Sequence, residues 1–329
     1  MPPRRAFILV EHDMKFNQRL LAYLVIYIGG SVYLAFHSGN IITATLFGLI
    51  TIIGIITTSS AKAPDHYSET ASDLRMAKGV QEAIMDLPIP DISGLKISRF
   101  YRAASWVGGD FTFFHSRDDY RFAPANSGIT GVVKLMNQQE TFLSVSIGDV
   151  AGHGVSSALI MALTTGLLSE VAQSVIHPAD VLSKVNSHLA SHISQSDIRY
   201  VTCMYLTIYP KSRRLQYCRA GHPPGFIVRQ NGDCIDLDSA GVFLGMYADE
   251  NYTNTELPLY PGDRIALYSD GITEVRNPIR DEFGIDRLKE LIATTRTLPA
   301  ETVLSQLKDQ VSAFGPLTDD QTVVLVDIT

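Results

Sequence analysis

The sequence predicts an α+β fold in which antiparallel strands and paired helices occur in separate blocks. Eight segments have the apolar alternation or the β-branched and aromatic composition of strands. Some follow one another across short polar turns, at 210–214 and 230–233. Four segments have helical length and composition and come in consecutive pairs. Meandering strands beside paired helices suit an antiparallel sheet covered by helices better than a βαβ repeat.

The predicted elements fill the chain from residue 95 to its end. The strands are expected at 95–101, 131–136, 141–147, 200–209, 215–219, 226–229, 264–269 and 322–328. The helices are expected at 155–173, 179–193, 285–293 and 300–314. In the third strand, alternation places Leu143, Val145 and Ile147 on the buried face.

Length, charge and cysteine content narrow the function classes. A chain of 329 residues has room for about two domains. The net charge of -7 argues against a nucleic-acid partner, because no basic stripe is available to contact phosphates. The three cysteines, Cys203, Cys218 and Cys234, are unclustered, which suggests a reducing compartment. No arginine follows any of them six residues later, so a cysteine-based phosphatase loop is excluded.

The first sixty residues have the composition of a membrane hairpin. Residues 20–36 and 41–58 are nearly uncharged apolar runs, each close to the roughly 20 residues that a spanning helix needs. Basic residues flank the pair and are missing from the turn at 37–40, so both ends are predicted in the cytoplasm. A buried hairpin of a soluble domain is the alternative, and a signal peptide fits less well. Gly48 and Gly54 could pack helices together, which leaves homodimerisation through the lipid as an option.

Four aspartates stand at the ends of predicted strands or on glycine-rich turns. Asp149 follows strand 141–147, Asp270 follows strand 264–269, Asp319 precedes the last strand, and Asp110 ends a Gly-Gly-Asp turn. Carboxylates among glycines can hold a metal or a phosphate close to the backbone. Any one of them has an ordinary explanation as a turn residue. Together they favour convergence on one site.

The motif set resembles that of the SpoIIE/RsbU-type branch of the PPM (PP2C-like) serine/threonine phosphatases. The matching segments, in family order over residues 76–329, are 108–110, 148–154, 220–224, 244–245, 261–263, 268–274, 283–284 and 319–322. The resemblance implies an α-β-β-α sandwich, here preceded by two transmembrane helices, with metals at one edge between the sheets. The implied organisation is a hairpin at 1–60, a linker helix at 61–90 and a phosphatase domain at 91–329.

The resemblance also implies a role for each site residue. Asp149 would bridge two metals, with the backbone carbonyl of Val150 completing one coordination shell. Asp270 and Asp319 would bind the first metal, and Asp110 would reach the second directly or through water. Asp320 is the less certain member of its pair.

His153 has two interpretations that the sequence leaves open. As the histidine after the bridging aspartate, it could protonate the leaving seryl oxygen. Alternatively, it braces the turn. His222 in Gly-His-Pro-Pro fits loop packing better than catalysis, and Glu274 fits a role in orienting the loop after Asp270.

Charge explains why such a site needs cations. Two carboxylates about 4 Å apart repel by roughly 4 kcal/mol at an effective dielectric near 20. Two divalent ions would offset this charge, and an all-oxygen ligand set selects Mn²⁺ or Mg²⁺ over zinc. Paired ions of this kind can activate a water for attack on a phosphoryl group.

The sequence departs from the family pattern in two places. Phe113 stands where relatives usually carry an acidic residue, and the loop at 116–128 is longer and more polar than usual, as if to contact a substrate or partner. No arginine plainly matches the phosphate-gripping arginine of eukaryotic PP2C enzymes, a lack that the bacterial branch shares.

The linker at 65–85 has amphipathic helical spacing and is stopped by prolines at 88 and 90. It either packs on the following domain or, as the resemblance suggests, also transmits a signal.

The main functional hypothesis is a metal-dependent protein serine/threonine phosphatase in the cytoplasmic (inner) membrane of a bacterium, with its catalytic domain in the cytoplasm. By resemblance, its phosphorylated substrate is a STAS-type anti-sigma-factor antagonist. Two alternatives belong to other classes. One is a non-catalytic membrane scaffold of the same fold that binds a signalling partner. The other is a metal phosphodiesterase or nuclease, which the acidic composition disfavours.

Overall fold

The computed structural model describes residues 64–119, 140–193 and 200–329, together with the single positions Gly30 and Tyr33. The chain divides into two compact units, residues 1–73 and 74–329. Apart from Gly30 and Tyr33, both predicted membrane spans lie outside the described residues, as does the predicted strand 131–136. The linker helix from residue 64, the other predicted strands and helices and the candidate site lie within them.

The described helices and strands agree closely with the predicted pattern. The helices are α1 (Pro64–Met85), α2 (Val155–Ala172), α3 (Pro178–Ile193), α4 (Asp270–Thr273), α5 (Gly284–Thr294) and α6 (Ala300–Phe314). The strands are β1 (Leu95–Arg102), β2 (Phe111–Asp119), β3 (Glu140–Val150), β4 (Val201–Tyr209), β5 (Arg214–Ala220), β6 (Gly225–Val228), β7 (Cys234–Leu237), β8 (Thr255–Pro258), β9 (Arg264–Tyr268) and β10 (Gln321–Ile328).

The strands form two five-stranded antiparallel sheets. The first sheet has the order β1-β10-β9-β6-β7, and the second has the order β2-β3-β4-β5-β8. The interior strand β10 pairs with both β1 and β9, so the end of the chain joins segments that precede it by more than 200 and by about 60 residues. The α+β prediction is therefore confirmed.

Three apolar layers show that the sheets are stacked and covered on both outer faces. Between the sheets, Val145 and Ile147 of β3 pack in one cluster with Leu267 of β9 and Val324 of β10. Residues of α2 and α3 pack on the other face of the second sheet. Residues of α5 and α6 pack on the outer face of the first sheet. This is the predicted α-β-β-α sandwich, and Leu143, Val145 and Ile147 are fully buried as expected.

The structure corrects the prediction for residues 116–128. Residues 116–119 belong to β2 and pair with Glu140–Leu143 of β3, so they are not part of a loop. Phe111 and Phe113 give the first part of β2 an apolar face, but the polar Arg117 interrupts this pattern. The strand continues through residues 116–119 by pairing with β3. The Arg117 guanidinium lies over the Phe142 ring and donates to the carbonyl of Gln173. The rest of the predicted loop lies outside the described residues.

Three short elements are also absent from the predicted pattern. They are β7, β8 and α4, each of four residues. Elements this short carry too few residues to show a period.

Of the helices in the described ranges, α2 alone has the length and apolar composition of a membrane span. Its Met161 and Leu168 are buried in the domain core.

The linker helix α1 packs on the domain through its last turns. Gln81 and Met85 are buried, and Arg99 of β1 donates a hydrogen bond to the Met85 carbonyl. By contrast, Met76 and Val80 are more than half exposed on the same helix. The prediction that the linker packs against the following domain is confirmed.

Candidate active site

The predicted aspartates lie at one rim of the sandwich. Asp110 and Asp149 stand at adjoining ends of β2 and β3, since Phe111 is paired with Gly148. Asp270 and Asp319 stand at adjoining ends of β9 and β10 in the other sheet, where Val323 is paired with Tyr268. The antiparallel pairing of distant strands therefore gathers the four segments.

A pocket of about 770 Å³ opens at this rim. Its lining includes Asp149, His153, Asp270 and Asp319, which the sequence predicted as site residues. Asp320 and Glu274 also line it, together with Ala104, Ser105, Val107, Ala151, Gly152, Tyr200, Thr202, Arg219, Gly221, His222, Pro223, Phe243 and Thr318. The structure thus brings together carboxylates from three of the predicted segments around one open space.

Asp110 lies behind the pocket wall. Its side chain is 1% exposed, and its Oδ2 accepts a hydrogen bond of 2.6 Å from the Thr322 hydroxyl. Thr322 is on β10 in the opposite sheet, so this hydrogen bond links the two sheets beneath the site. Asp110 is close enough to Asp149 for the two charges to interact.

Asp320 organises the backbone around the pocket. Its two carboxylate oxygens accept hydrogen bonds of 2.7 Å from the peptide nitrogens of Ala104 and Gly109. Gly109 must be a glycine, because a Cβ there would lie 2.9 Å from both Asp149 Oδ1 and the Val150 carbonyl oxygen. The same close approach places that carbonyl, which was predicted as a ligand, beside the predicted bridging carboxylate.

The electrostatics of the site are dominated by uncompensated negative charge. Burial, followed by repulsion from Asp270, Asp319 and Asp320, raises the pKa of Asp149 to about 8. Burial and the Asp149 charge raise the pKa of Asp110 well above its usual range, although the Thr322 hydroxyl opposes the shift. Burial, Asp319 and Glu274 raise the pKa of Asp270. A site of this kind favours positive ligands.

The donor set fits hard divalent cations. It consists of carboxylate and carbonyl oxygens, which suit Mg²⁺ and Mn²⁺. Among the described residues that line the pocket there is no cysteine to bind a softer metal, and both ring nitrogens of His222 are engaged in hydrogen bonds within the protein. In the described ranges, no three His, Cys, Asp or Glu side chains lie close enough together to bind one ion by themselves. The carboxylates instead surround an open volume, which suits ions that retain water ligands.

A buried hydroxyl next to the carboxylates also fits this interpretation. Ser157 in the first turn of α2 is fully buried, and its Oγ has no hydrogen-bond partner within the described residues. It lies close to Gly109 and Gly152, on the side of the pocket where Asp149 and the Val150 carbonyl stand. Sequence patterns did not point to this residue, because a serine near a helix start is common.

His153 lies at the pocket edge with its side chain exposed. Within the described part of the chain its imidazole makes no hydrogen bond, and both interpretations of this residue stay open. Gly152 and Gly154 on either side have φ values of 100° and 82°, which carry the backbone through the turn between β3 and α2.

The sequence did not identify Thr202 and Arg219 as site residues. Thr202 is the second residue of β4, and its hydroxyl oxygen accepts a 2.9 Å hydrogen bond from the Asp149 peptide nitrogen. Arg219 lines the pocket, but its guanidinium is bonded to Asp238 and to the carbonyl of His222. His222 itself is buried, as a loop-packing role predicts. Only the Gly-His-Pro-Pro motif at 221–224 pointed to this region.

Two stacked antiparallel sheets with an acidic rim pocket define a PP2C-like phosphatase domain. The solved SiaA PP2C domain of Pseudomonas aeruginosa has the same fold, with a TM-score of 0.62 and 20% sequence identity over 80% of this chain and 99% of that domain. RsbX, solved in complex with magnesium, superposes with a TM-score of 0.51 at 13% identity, over 74% of this chain and 99% of RsbX.

Sequence comparison then identifies the family. The model for stage II sporulation protein E (SpoIIE) matches residues 139–329, more than half of the chain, and the chain belongs to this family of protein phosphatases. Among its relatives, the phosphoserine phosphatase RsbU of Bacillus subtilis is 27% identical over 263 residues. That alignment covers 78% of this chain and 70% of RsbU.

Proposed function

We propose that the protein is a metal-dependent phosphatase that hydrolyses phosphoserine or phosphothreonine in a partner protein. The observation that carries this proposal is the group of aspartates at one sheet rim, where burial and then mutual repulsion raise the pKa of Asp149 to about 8. A pocket so negative would repel a phosphoryl group unless cations filled it. The similarity to a phosphoserine phosphatase supports the choice of substrate class.

Two Mn²⁺ or Mg²⁺ ions would be held by Asp149, Asp270, Asp319 and the Val150 carbonyl, with Asp110 behind them. Such ions supply Lewis-acid stabilisation of the phosphoryl oxygens and lower the pKa of water. The chain itself provides the framework. Asp320 fixes the loop at 104–109 through two peptide nitrogens. The Asp110–Thr322 hydrogen bond fixes the back of the pocket.

His153 is the group that would give a proton to the leaving seryl oxygen. It lies at the pocket edge, is exposed, and has no partner in the described part of the chain that would occupy its nitrogens. A general acid needs this freedom to contact the substrate. Its proton would be replaced from solvent after each turnover.

The biological setting extends the proposal beyond the described residues. The two apolar runs at 20–36 and 41–58 would anchor the chain in the lipid of the bacterial cytoplasmic membrane, with the phosphatase domain in the cytoplasm. RsbU is named as a phosphoserine phosphatase, and by analogy the partner here would be a phosphorylated STAS-type anti-sigma-factor antagonist. Homodimerisation through the hairpin remains part of this proposal.

The test uses the purified full chain with p-nitrophenyl phosphate and with a panel of serine-phosphorylated STAS proteins. Hydrolysis that requires Mn²⁺ or Mg²⁺, stops with EDTA and is lost in Asp149→Asn supports the proposal. Asp249→Asn, which changes an exposed aspartate, is the matched control and keeps full activity. If neither substrate is hydrolysed with either metal, the non-catalytic scaffold is correct. Cleavage of bis-p-nitrophenyl phosphate alone would point to a phosphodiesterase.

A further inference from the structure

Three consecutive hydrogen bonds link the backbone of Asp149 to the opposite sheet. The Asp149 peptide nitrogen lies 2.9 Å from Thr202 Oγ1. Thr202 Oγ1 lies 2.8 Å from His222 Nδ1, and His222 Nε2 lies 3.1 Å from the carbonyl oxygen of Tyr268. His222 is 1% exposed, so water does not substitute for these partners.

The direction of each hydrogen bond follows from chemistry. The Tyr268 carbonyl can only accept, so His222 Nε2 carries the proton. Burial lowers the pKa of His222 to about 3, so the ring is neutral and Nδ1 is an acceptor. The Thr202 hydroxyl must then donate to Nδ1, and its oxygen receives the Asp149 peptide N–H. Thr202 Oγ1 is also 3.2 Å from the Asp149 carbonyl oxygen, a longer contact that it cannot serve with the same proton.

The two ends of this series of hydrogen bonds lie in the two halves of the candidate metal site. Asp149 is the last residue but one of β3 in the second sheet, and Thr202 is the second residue of the neighbouring strand β4. Tyr268 ends β9 in the first sheet, two residues before Asp270. His222 therefore joins the two sheet edges that carry these aspartates. Both ring nitrogens are occupied, so the ring has no free nitrogen with which to act on a substrate.

We propose that Thr202 and His222 are positioning residues that hold the Asp149 edge and the Asp270 edge at the separation that divalent cations require. This inference rests on the proposed function, since it assigns the two residues to the metal site of that phosphatase. Groups that orient ligands from outside the coordination shell commonly change metal affinity 10- to 100-fold when they are removed. A residue that served only the general packing of the domain would not have this selective effect.

The experiment compares Thr202→Val with Thr202→Ser in the purified full chain. Valine keeps the shape and removes the hydroxyl, whereas serine keeps the hydroxyl. Isothermal titration with Mn²⁺ is expected to show about 10- to 100-fold weaker binding for Thr202→Val and a value within about threefold of wild type for Thr202→Ser. Circular dichroism and thermal unfolding in EDTA establish that both variants are folded. Equal Mn²⁺ affinity in the two variants would overturn the inference.

A second variant keeps the test decisive if Thr202→Val does not fold. His222→Asn places an amide oxygen where Nδ1 accepts, but it cannot reach the Tyr268 carbonyl. The expected result is again weak Mn²⁺ binding in a folded protein, and wild-type affinity would refute the link between the sheets. The proposed function is tested separately by wild-type hydrolysis of p-nitrophenyl phosphate. Wild type that binds Mn²⁺ without hydrolysis would reject the function and leave the positioning role standing.

Discussion

The side chain of Gln81 forms two hydrogen bonds with the backbone N–H and C=O of Gly108. Its Nε2 donates to the Gly108 carbonyl at 2.8 Å, and its Oε1 accepts from the Gly108 nitrogen at 3.0 Å. Gln81 lies on the linker helix α1 and is 5% exposed. Gly108 stands two residues before Asp110. One side chain of the linker thus fixes the turn that carries a candidate metal ligand.

Gln81→Met is expected to destabilise this turn. Methionine has a similar length but leaves the buried N–H and C=O of Gly108 unpaired, at a cost of about 1–3 kcal/mol for each group. Urea unfolding should show this loss, and Mn²⁺-dependent hydrolysis should fall about tenfold because Asp110 is less well placed. Lys78→Met changes an exposed residue of the same helix and should leave both quantities close to wild type. Wild-type stability of Gln81→Met would show that the pairing is dispensable.

Asp149→Asn is expected to lower activity by at least about 10³-fold while stabilising the metal-free protein. The pKa of Asp149 is raised from 3.8 to about 8, so the folded state binds more protons than the unfolded state between these values. The stability of the metal-free wild type must then fall as pH rises through this window. Asparagine removes the contribution of Asp149 to that dependence, so the fall in stability with pH becomes shallower, while Asp110 and Asp270 still contribute. Thermal unfolding in EDTA from pH 5.5 to 8 checks both statements, with Asp249→Asn as control.

The opposite outcome for Asp149→Asn is equally clear. A variant whose metal-free unfolding temperature falls with pH as steeply as that of wild type would show that Asp149 is not the group that titrates. Retention of wild-type activity would remove Asp149 from the metal site altogether. Because activity and stability are expected to move in opposite directions, simple misfolding cannot imitate the predicted result.

The sequence was sufficient to predict that the aspartates lie at the ends of strands, but it did not reveal which contacts hold them together. Asp149 and Asp270 each follow a strand with a clear apolar pattern, so their places at strand ends could be predicted. The Asp110–Thr322 hydrogen bond joins residues separated by 212 positions. Such contacts depend on the order of strands within a sheet, which local periodicity does not specify.

Residues that act through backbone groups were not recognised in that role. Gln81, Thr202 and Asp320 each bond peptide atoms near the site, and of these the sequence pointed only to Asp320, as an uncertain metal ligand. Nothing in the identity of Gln81 or Thr202 distinguishes it from a surface glutamine or a strand threonine. The strand β2 escaped for a related reason, since Arg117 interrupts its apolar pattern while the pairing with β3 continues. The fold class was predictable because it depends on many residues, whereas these contacts each depend on one.

Mn²⁺ is expected to stabilise the folded protein, and more so as pH rises. Cations offset the repulsion among Asp149, Asp270 and Asp319, and at lower pH protons compete for the same carboxylates. At a free concentration of about 100 times the dissociation constant, binding adds roughly 2.7 kcal/mol to the free energy of unfolding. Thermal unfolding with Mn²⁺ or EDTA at pH 6 and pH 8 measures this. An equal gain at both pH values, or the same gain in Asp149→Asn, would contradict it.

His153→Gln separates the two interpretations of this histidine by the leaving group of the substrate. A seryl oxygen leaves with difficulty unless it is protonated, whereas p-nitrophenolate leaves without a proton. If His153 is the general acid, kcat for a phosphoserine protein should fall about 10²-fold, and kcat for p-nitrophenyl phosphate should change by less than about threefold. Because the His153 side chain is exposed and makes no hydrogen bond within the described residues, the substitution should leave the unfolding temperature unchanged. Equal losses on both substrates would instead assign His153 to the general arrangement of the pocket.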